Sequence, residues 1–267
     1  MGGVPFANTA ASAPPSVLAV IPARLGATRL PRKPLRLLGG VPLIVRVWER
    51  VSSLRVADAV VVATDSTEIA DAVTAAGGRA VLTASSHPSG TDRIAEAVAQ
   101  EEFGRHEVIL NVQGDEPFVP EGAVRGALSM VTTARFPLGT AATRADATIL
   151  GTPNVVKVVA ADDGRALYFS RAPIPFLREM GDAPLRDGHV RQHLGIYAYT
   201  REALAAWVAL PEHPLERIER LEQLRPLAAG MLMGVATIDE PPPGGVDTED
   251  DLSRANARWN DLYAGRS

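Results

Sequence analysis

Four cations follow an apolar run near the start of the chain. Residues 17–21 read VLAVI and lead through Pro22 into a turn-rich segment, which predicts a buried strand running into a loop. The cations of this loop are Arg24, Arg29, Arg32 and Lys33. The arginine guanidinium can donate two parallel hydrogen bonds to a phosphate, and the lysine ammonium provides a compact positive charge. The loop could therefore bind a triphosphate. A solvated surface loop has the same composition, and this stretch alone leaves both interpretations open.

Acidic side chains follow two other predicted strands. The sequence NVQGDEP at 111–117 places Asp115 and Glu116 after a strand, where they form either a cation site or an ordinary acidic turn. Proteins hold Mg²⁺ with one or two carboxylates plus substrate phosphates. Adjacent side chains diverge, so we expect only one of this pair to bind the metal. Asp247, in GGVDTEDD, is a second candidate, although an acid here is also typical of a helix N-cap region.

Strands and helices alternate in the first half of the chain. Strands are predicted at 58–65, at 79–83 and within 106–117, and helices at 42–54, 68–77, 93–102 and 122–131. Ser66 is expected to cap the second helix and Gly77 to end it. This βαβα order predicts a doubly wound, mostly parallel α/β sheet with ligands at the carboxyl ends of its strands.

The pattern changes after about residue 137. Strand-rich segments with a turn at 162–164 predict an antiparallel insertion over 137–210. Helices at 201–210 and 216–229, a strand at 233–238 and a last helix from Glu249 return the chain to the main lobe. The predicted organisation is a disordered tail at 1–15, an α/β domain at 16–136 and 211–267, and an antiparallel insertion at 137–210.

Composition narrows the class of partner. The 267 residues are 46% hydrophobic and 22% charged, with a formal net charge of −4, so the chain lacks the basic field that attracts duplex nucleic acid. It has no cysteine, which excludes disulfides and sulfur-ligated metals. No apolar run reaches membrane-spanning length, and the first residues do not resemble a signal peptide. We therefore expect a cytoplasmic protein with small-molecule substrates, no nucleic acid partner and no membrane insertion.

The motifs together resemble the 3-deoxy-manno-octulosonate (Kdo) cytidylyltransferase family. IPARLGATRLPRKPL is similar to the family's opening motif, and the segments that follow it in the family's order are VATD, HPSGTDR, NVQGDEP, VVKVV, ALYFSRAPIP, HLGIYAY, PLERIERLEQLR and GVDTEDDL. The resemblance spans residues 17 to about 252. It implies a Rossmann-like sheet of the nucleotide-diphospho-sugar transferase type. It also implies that the α/β domain at 16–136 and 211–267 binds the nucleotide, and that the insertion at 137–210 is a sugar-binding and dimerisation lobe of a homodimer.

The resemblance assigns the nucleotide and metal sites. Arg24, Arg29 and Lys33 match residues that handle the CTP phosphates, and Asp115 and Asp247 match two Mg²⁺-binding carboxylates. The further nucleotide-binding positions are Pro22, Ala23, Ser89, Gly90, Thr91, Arg93 and Gln113. Catalysis is assigned mainly to Arg24, Lys33, Asp115 and Asp247, and no residue stands out as a general base.

The resemblance also assigns an acceptor site for an eight-carbon keto-acid sugar. Its residues are Gln113, Arg171, His193, Tyr197, Glu222 and Gln223. Strand alternation in HLGIYAY would project His193 and Tyr197 together, although a half-buried strand with satisfied polar tips gives the same pattern. In a helix through 216–229, Glu222 and Gln223 would lie opposite the apolar side formed by Ile218, Leu221 and Leu224.

The implied reaction is formation of CMP-Kdo and pyrophosphate from CTP and Kdo, for lipopolysaccharide synthesis. A sialate cytidylyltransferase would share this chemistry, and a non-catalytic nucleotide- or sugar-binding module would keep the basic loop. An oxidoreductase is disfavoured because the loop lacks the G-x-G-x-x-G fingerprint, and a P-loop is absent too. The sequence leaves open Kdo against an amino variant, the number of metals, and the role of Arg32, where the family commonly has glycine.

Overall fold

The computed structural model describes residues 14–26, 29–242 and 244–263. Most of the predicted tail at 1–15 lies outside the described residues, as do residues 27 and 28 of the basic loop. No helix of the described chain combines the length and the apolar composition that membrane crossing requires.

A mixed, mostly parallel sheet forms the centre of the fold. The strands are β1 (Val17–Ala23), β2 (Leu37–Leu38), β3 (Val41–Pro42), β4 (Ala59–Thr64), β5 (Arg79–Leu82), β6 (Val108–Asn111), β7 (Leu138–Arg144), β8 (Lys157–Ala160), β9 (Ala166–Ser170), β10 (Arg191–Thr200) and β11 (Met233–Ile238). Nine of these described strands share one sheet, with the order β11-β7-β10-β6-β1-β4-β5 and with β8 and β9 attached beside β10. Only β2 and β3 form a separate hairpin.

Helices cover both faces of the sheet. They are α1 (Leu43–Ser53), α2 (Thr67–Ala75), α3 (Gly90–Val98), α4 (Glu121–Thr132), α5 (Ala183–Asp187), α6 (Arg201–Ala209), α7 (Pro214–Glu219), α8 (Leu224–Ala228) and α9 (Glu249–Tyr263). Alternate residues of β1 enter two different cores, because successive side chains of a strand point to opposite faces. Ile21 packs in the core that includes α1, α2 and α4, whereas Val20 packs in the core that includes α3 and α6. The doubly wound α/β prediction is confirmed.

β1 is the strand that organises the site. It pairs in parallel with β4 on one side and with β6 on the other. The carboxyl ends of β1 and β6 therefore lie at the same edge of the sheet, and the loops that leave them meet there. The first loop is the basic one, and the second carries Gln113 and Asp115.

The segment 137–210 is less separate than we expected. β7 and β10 belong to the main sheet: β7 pairs in parallel with β11, and β10 pairs antiparallel with both β7 and β6. Only the antiparallel pair β8 and β9, with the short helix α5, extends from this sheet. Antiparallel strands within a mixed sheet have the same sequence pattern as an insertion, which explains the difference.

The predicted helix over 216–229 is wrong in its continuity. The structure forms two short helices, α7 and α8, separated at Arg220, which adopts φ 54°. The left-handed residue reverses the chain, so Ile218 is exposed while Leu221 and Gln223 are buried. The predicted polar face with Glu222 and Gln223 therefore does not exist as one helix face.

Candidate active site

A pocket of about 420 Å³ lies at the carboxyl ends of β1 and β6. Most of the predicted nucleotide-binding residues line it, namely Pro22, Ala23, Arg24, Arg29, Lys33, Ser89, Gly90, Arg93 and Gln113, together with the predicted metal ligands Asp115 and Asp247. Thr91, the remaining predicted position, is buried at the start of α3. The sheet thus brings together loops that are far apart in the sequence.

Lys33 joins the two predicted metal ligands. Its Nζ donates to Asp115 Oδ2 at 2.6 Å and to Asp247 Oδ1 at 2.9 Å. Burial opposes the charge of the ammonium, but the two carboxylates outweigh burial and raise the pKa of Lys33. Arg29 Nη2 donates to Asp247 Oδ2 at 3.0 Å. The predicted phosphate-binding cations and metal-binding carboxylates therefore neutralise one another in this structure.

Asp247 is free to face the pocket because its neighbour caps the helix. Thr248 Oγ1 accepts from Asp251 N at 3.2 Å, and Asp251 Oδ2 accepts from the backbone N–H of Asp247 and of Thr248 at 3.1 and 2.9 Å. The capping role at the start of α9 thus falls to Thr248 and Asp251. The N-cap alternative for Asp247 does not hold.

Glu116 forms no ion pair with Lys33, whereas its neighbour Asp115 does. Its Oε2 is buried without a hydrogen-bond partner among the described residues. Burial, together with the charges of Asp115 and Asp247, raises the pKa of Glu116 to about 8. Of the adjacent acids, only Asp115 reaches Lys33.

Arg32 lies outside the pocket. Its backbone adopts φ 56°, a left-handed conformation that favours glycine and explains the glycine common at this position in the family. Its guanidinium pairs with Glu68 at the start of α2. Arg32 therefore contacts α2 rather than lining the pocket.

The loop before α3 forms another wall of the pocket. Ser89 is the N-cap of α3, and its Oγ accepts from Asp92 N at 3.2 Å. Arg93 is buried and donates to Asp65 Oδ2 at 2.9 Å and to Thr83 Oγ1 at 2.5 Å. Arg93 thereby fixes α3 against the end of β4, which holds Ser89 and Gly90 at the pocket edge.

Gln113 connects the pocket to the predicted acceptor residues on β10. Its Nε2 donates to Gly195 O at 3.2 Å. His193 and Tyr197 project together as predicted, with ring centroids 5.4 Å apart. His193 Nε2 lies 2.9 Å from Thr140 Oγ1, and burial lowers the pKa of His193 to about 3. Its imidazole is therefore neutral at physiological pH.

Arg171 is anchored by backbone carbonyls. Its guanidinium donates to Glu219 O at 2.8 Å, Pro153 O at 3.0 Å and Arg220 O at 3.3 Å. These bonds use three of its five N–H donors, so one donor remains on each terminal nitrogen. In this structure Arg171 holds the turn after α7 against β9.

Two residues that sequence reasoning missed support this region. Lys157 is fully buried, and its Nζ donates to the carbonyls of Thr152, Val155 and Arg171 at 3.1, 2.7 and 2.5 Å. Glu219 accepts from Ser170 Oγ at 2.6 Å and from Arg171 N at 2.9 Å. The sequence does contain a signal for Lys157, the single lysine inside the apolar run VVKVV. A lysine buried with such a strand requires acceptors for its ammonium, so this position predicts a structural hydrogen-bond network.

The predicted acceptor residues Glu222 and Gln223 lie in the turn between α7 and α8. Gln223 is buried. Glu222 Oε1 lies 2.9 Å from Ser89 Oγ, so this turn contacts the nucleotide side of the pocket. Ser89 and Gln113 thus both join the pocket to the region of the predicted acceptor residues.

The carboxylates of Asp115 and Asp247, which both face Lys33, suit a hard cation. No group of three or more His, Cys, Asp or Glu side chains arranged for a metal occurs among the residues that the structure describes. Asp115 and Asp247 nevertheless share one cation, the Lys33 ammonium, which stands where positive charge is favoured. Two carboxylates completed by substrate phosphates and water are a normal Mg²⁺ environment.

A doubly wound sheet whose strand ends present a basic loop and two carboxylates defines a nucleotide-binding α/β protein. Comparison with known proteins narrows this class: a family model described as Cytidylyltransferase matches residues 18–233. The chain belongs to the cytidylyltransferase family, whose members are nucleotidyltransferases.

Curated relatives match nearly the whole chain. A 3-deoxy-manno-octulosonate cytidylyltransferase of Gemmatimonas aurantiaca is 60% identical over 94% of this chain and 97% of its own length. One of Rhodospirillum centenum is 49% identical over 92% of this chain and 94% of its own. The resemblance inferred from the motifs is confirmed.

Solved structures agree with the fold. The structure of CMP:2-keto-3-deoxy-manno-octonic acid synthetase complexed with CTP has a TM-score of 0.85 and 37% identity, covering 92% of this chain and 99% of that one. A 4-diphosphocytidyl-2C-methyl-D-erythritol synthase from Anaerococcus prevotii has a TM-score of 0.60 at 16% identity, covering 91% and 98%. The second likeness concerns the fold alone.

Proposed function

We propose that the chain transfers a cytidylyl group from CTP to 3-deoxy-D-manno-octulosonate, with Mg²⁺ as cofactor, forming CMP-Kdo and pyrophosphate. The observation that carries this proposal is the Lys33 ammonium held between Asp115 and Asp247 at the strand ends. The names of the curated relatives support the choice of acceptor. The neighbouring structure complexed with CTP supports the choice of nucleotide.

The residues of the basic loop bind and orient the triphosphate. Phosphate oxygens replace the carboxylates as partners of Lys33 and Arg29, which frees Asp115 and Asp247 to hold Mg²⁺. Mg²⁺ held by Asp115 and Asp247 would supply positive charge that offsets the charge of the phosphates. Arg24 also lines the pocket and adds a third positive charge near the phosphates, after those of Lys33 and Arg29.

The reaction is an in-line displacement. The anomeric hydroxyl oxygen of the acceptor bonds to the α-phosphorus of CTP, the bond from that phosphorus to the bridging oxygen breaks, and pyrophosphate leaves. The hydroxyl proton passes to solvent. Lys33 and the arginines stabilise charge that develops on the phosphates, and the pocket holds the reactants in line.

The acceptor lies on the side of the pocket that Gln113 and Ser89 border. We assign its binding to Gln113, Arg171, His193, Tyr197, Glu222 and Gln223, and Arg171 also holds the turn that carries the last two. A homodimer formed through 137–210, a cytoplasmic location and a role in lipopolysaccharide synthesis belong to the same proposal.

A substrate panel tests the proposed function. Purified protein with CTP, Mg²⁺ and Kdo should release pyrophosphate, and replacing CTP with ATP or GTP should abolish release. Faster release with a nine-carbon sialic acid would reassign the chain to the sialate enzymes. Absence of release with every eight- or nine-carbon keto-acid sugar, under conditions where CTP binds, would favour a binding module instead.

A further inference from the structure

The Ser89 hydroxyl lies between two carboxyl groups. Ser89 Oγ is 2.6 Å from Asp92 Oδ2 and 2.9 Å from Glu222 Oε1. It also accepts a hydrogen bond from Asp92 N at 3.2 Å. Ser89 and Asp92 belong to the start of α3 on the nucleotide side, whereas Glu222 belongs to the turn between α7 and α8.

The Ser89 hydroxyl has too few hydrogen atoms to donate to both carboxyl groups. A serine hydroxyl has one hydrogen to donate and can accept two. Asp92 Oδ2 is the nearer acceptor, so the Ser89 hydrogen goes there. An ionised Glu222 would then face the Ser89 oxygen with no hydrogen between them. A proton on Glu222 removes this conflict, because Ser89 Oγ then accepts from both Glu222 and Asp92 N and donates to Asp92.

The surroundings of Glu222 agree with this count. Burial raises the pKa of Glu222, and the charge of Asp92 raises it further, while the nearby Ser89 hydroxyl, a hydrogen bond from Thr91 and the charge of Arg225 oppose the shift. Arg225 is already committed to another acid: it donates to both carboxylate oxygens of Glu216, at 2.8 and 2.6 Å. The other titratable groups near Glu222 are Tyr197 and Tyr199 of β10.

The geometry points to Glu222 as a neutral carboxylic acid that donates to Ser89 Oγ and so admits a carboxylate-bearing acceptor beside it. The second half of this statement rests on the proposed function. An acidic sugar would be repelled by an ionised glutamate at its site, whereas a protonated one offers a donor and an acceptor for sugar hydroxyls without that repulsion. Glu222 is then a specificity-determining residue for acidic acceptors.

Infrared difference spectroscopy tests the charge of Glu222 without any substrate. The spectrum of the full-length protein minus that of Glu222→Gln at pH 7 should contain a protonated carboxyl band that disappears at higher pH. A difference spectrum with only a carboxylate band would overturn the inference. If Glu222→Gln does not fold, Ser89→Ala replaces it: the carboxyl band should move because the O–H loses its acceptor, and an unmoved band counts against the inference.

Steady-state kinetics test the consequence for the acceptor. In the wild type, KM for the acidic sugar should rise about tenfold as Glu222 ionises at alkaline pH, while KM for CTP changes little. The amide of Glu222→Gln cannot ionise, so the acceptor KM of this variant should not show the alkaline rise, whatever its value at pH 7. Glu212→Gln, an exposed change just before α7, is the matched control, and its acceptor KM should depend on pH as the wild-type value does.

The outcomes separate the two proposals. If the wild type turns over no acidic sugar, the proposed function fails, and the infrared spectrum still decides the charge of Glu222. If turnover occurs but the acceptor KM of Glu222→Gln rises at alkaline pH as the wild-type KM does, the rise does not come from Glu222 and the inference is wrong.

Discussion

At the scale of single residues, the site is a set of charges that neutralise each other until substrate arrives. Lys33 bridges Asp115 and Asp247, and Arg29 adds a second cation to Asp247. Without these cations, the two carboxylates would repel each other across the pocket. In the proposed function the same side chains exchange these partners for the triphosphate and Mg²⁺.

Replacing Asp115 by asparagine should separate these roles. We expect kcat to fall by about 10²- to 10³-fold, because the variant keeps the side-chain shape but loses a charge needed near the phosphates. Mg²⁺ affinity in the presence of CTP should weaken in calorimetric titrations. Asp162→Asn, in an exposed turn, is the control and should leave both quantities unchanged. Unaltered binding of CTP and Mg²⁺ by Asp115→Asn would refute the metal assignment.

His193 predicts a pH dependence of stability. Burial lowers its pKa to about 3 in the folded protein, from 6.5 for the exposed side chain. Below pH 6.5 the unfolded chain binds a proton that the folded chain does not, so the contribution of neutral His193 is fully present above pH 6.5 and is lost as the pH falls toward 3. The loss is at most about 1.4 kcal/mol per pH unit.

Urea unfolding of His193→Gln checks this sign. The stability advantage of the wild type over the variant should be largest at pH 8 and should shrink at pH 5. His189→Gln, an exposed change nearby, should show a difference that does not depend on pH. A wild-type advantage over His193→Gln that stays constant between pH 8 and pH 5 would contradict the burial argument.

At the scale of elements, the site depends on the close approach of two loops. Gly114 follows β6, and a Cβ at this position would lie 2.8 Å from Pro22 O, at the end of β1, and 3.3 Å from Ile44 Cδ1 on α1. Only glycine permits this approach, which sets the distance between the basic loop and Asp115.

Gly114→Ala should therefore damage both stability and activity. We expect a loss of about 1–3 kcal/mol in the free energy of unfolding from overpacking, and about 10²-fold in kcat from displacement of Asp115. Gly151→Ala, where a Cβ would meet nothing within 4 Å, is the matched control and should cost neither. Thermal unfolding and pyrophosphate release measure the two effects; a fully active, fully stable Gly114→Ala would show that the approach is not required.

The sequence predicted those features that depend on local pattern and parallel topology. Ser66 caps α2 and Gly77 adopts φ 83° at its end, both as expected. Asp115 and Asp247 converge because each follows a segment that ends at the same edge of the sheet. The break at Arg220 was not predicted, since a left-handed arginine has no sequence signature and only its tertiary contacts stabilise it.

The partners of long side chains were the least predictable part of the site. Arg171 belongs to a matching motif, yet its guanidinium binds backbone carbonyls from the turn after α7 and from Pro153. Those acceptors exist only once the chain has folded. Spacing along the sequence cannot indicate which carbonyls will lie within reach of a flexible arginine, nor that Ser89 and Glu222 will meet.

At the scale of the whole molecule, the segment between β9 and β10, which contains α5, exposes large apolar side chains. Phe176, Met180 and Leu185 are 83%, 80% and 70% exposed.

If the proposed dimer forms through these side chains, sedimentation should give twice the chain mass of 28.2 kDa. The double variant Phe176→Ser with Met180→Ser should then give a monomer. Leu82→Ser, on the distant strand β5, is the control. A monomeric wild type, or a variant that stays dimeric, would exclude this interface.

The central claim is that one pocket joins CTP to an acidic sugar. The most direct measurement is mass spectrometry of the products formed from CTP, Kdo and Mg²⁺. We expect CMP-Kdo and pyrophosphate in equal amounts, and we expect Asp115→Asn to form neither in the same time. Pyrophosphate with free CMP and no CMP-sugar, or no product from any eight- or nine-carbon keto-acid sugar, would contradict it.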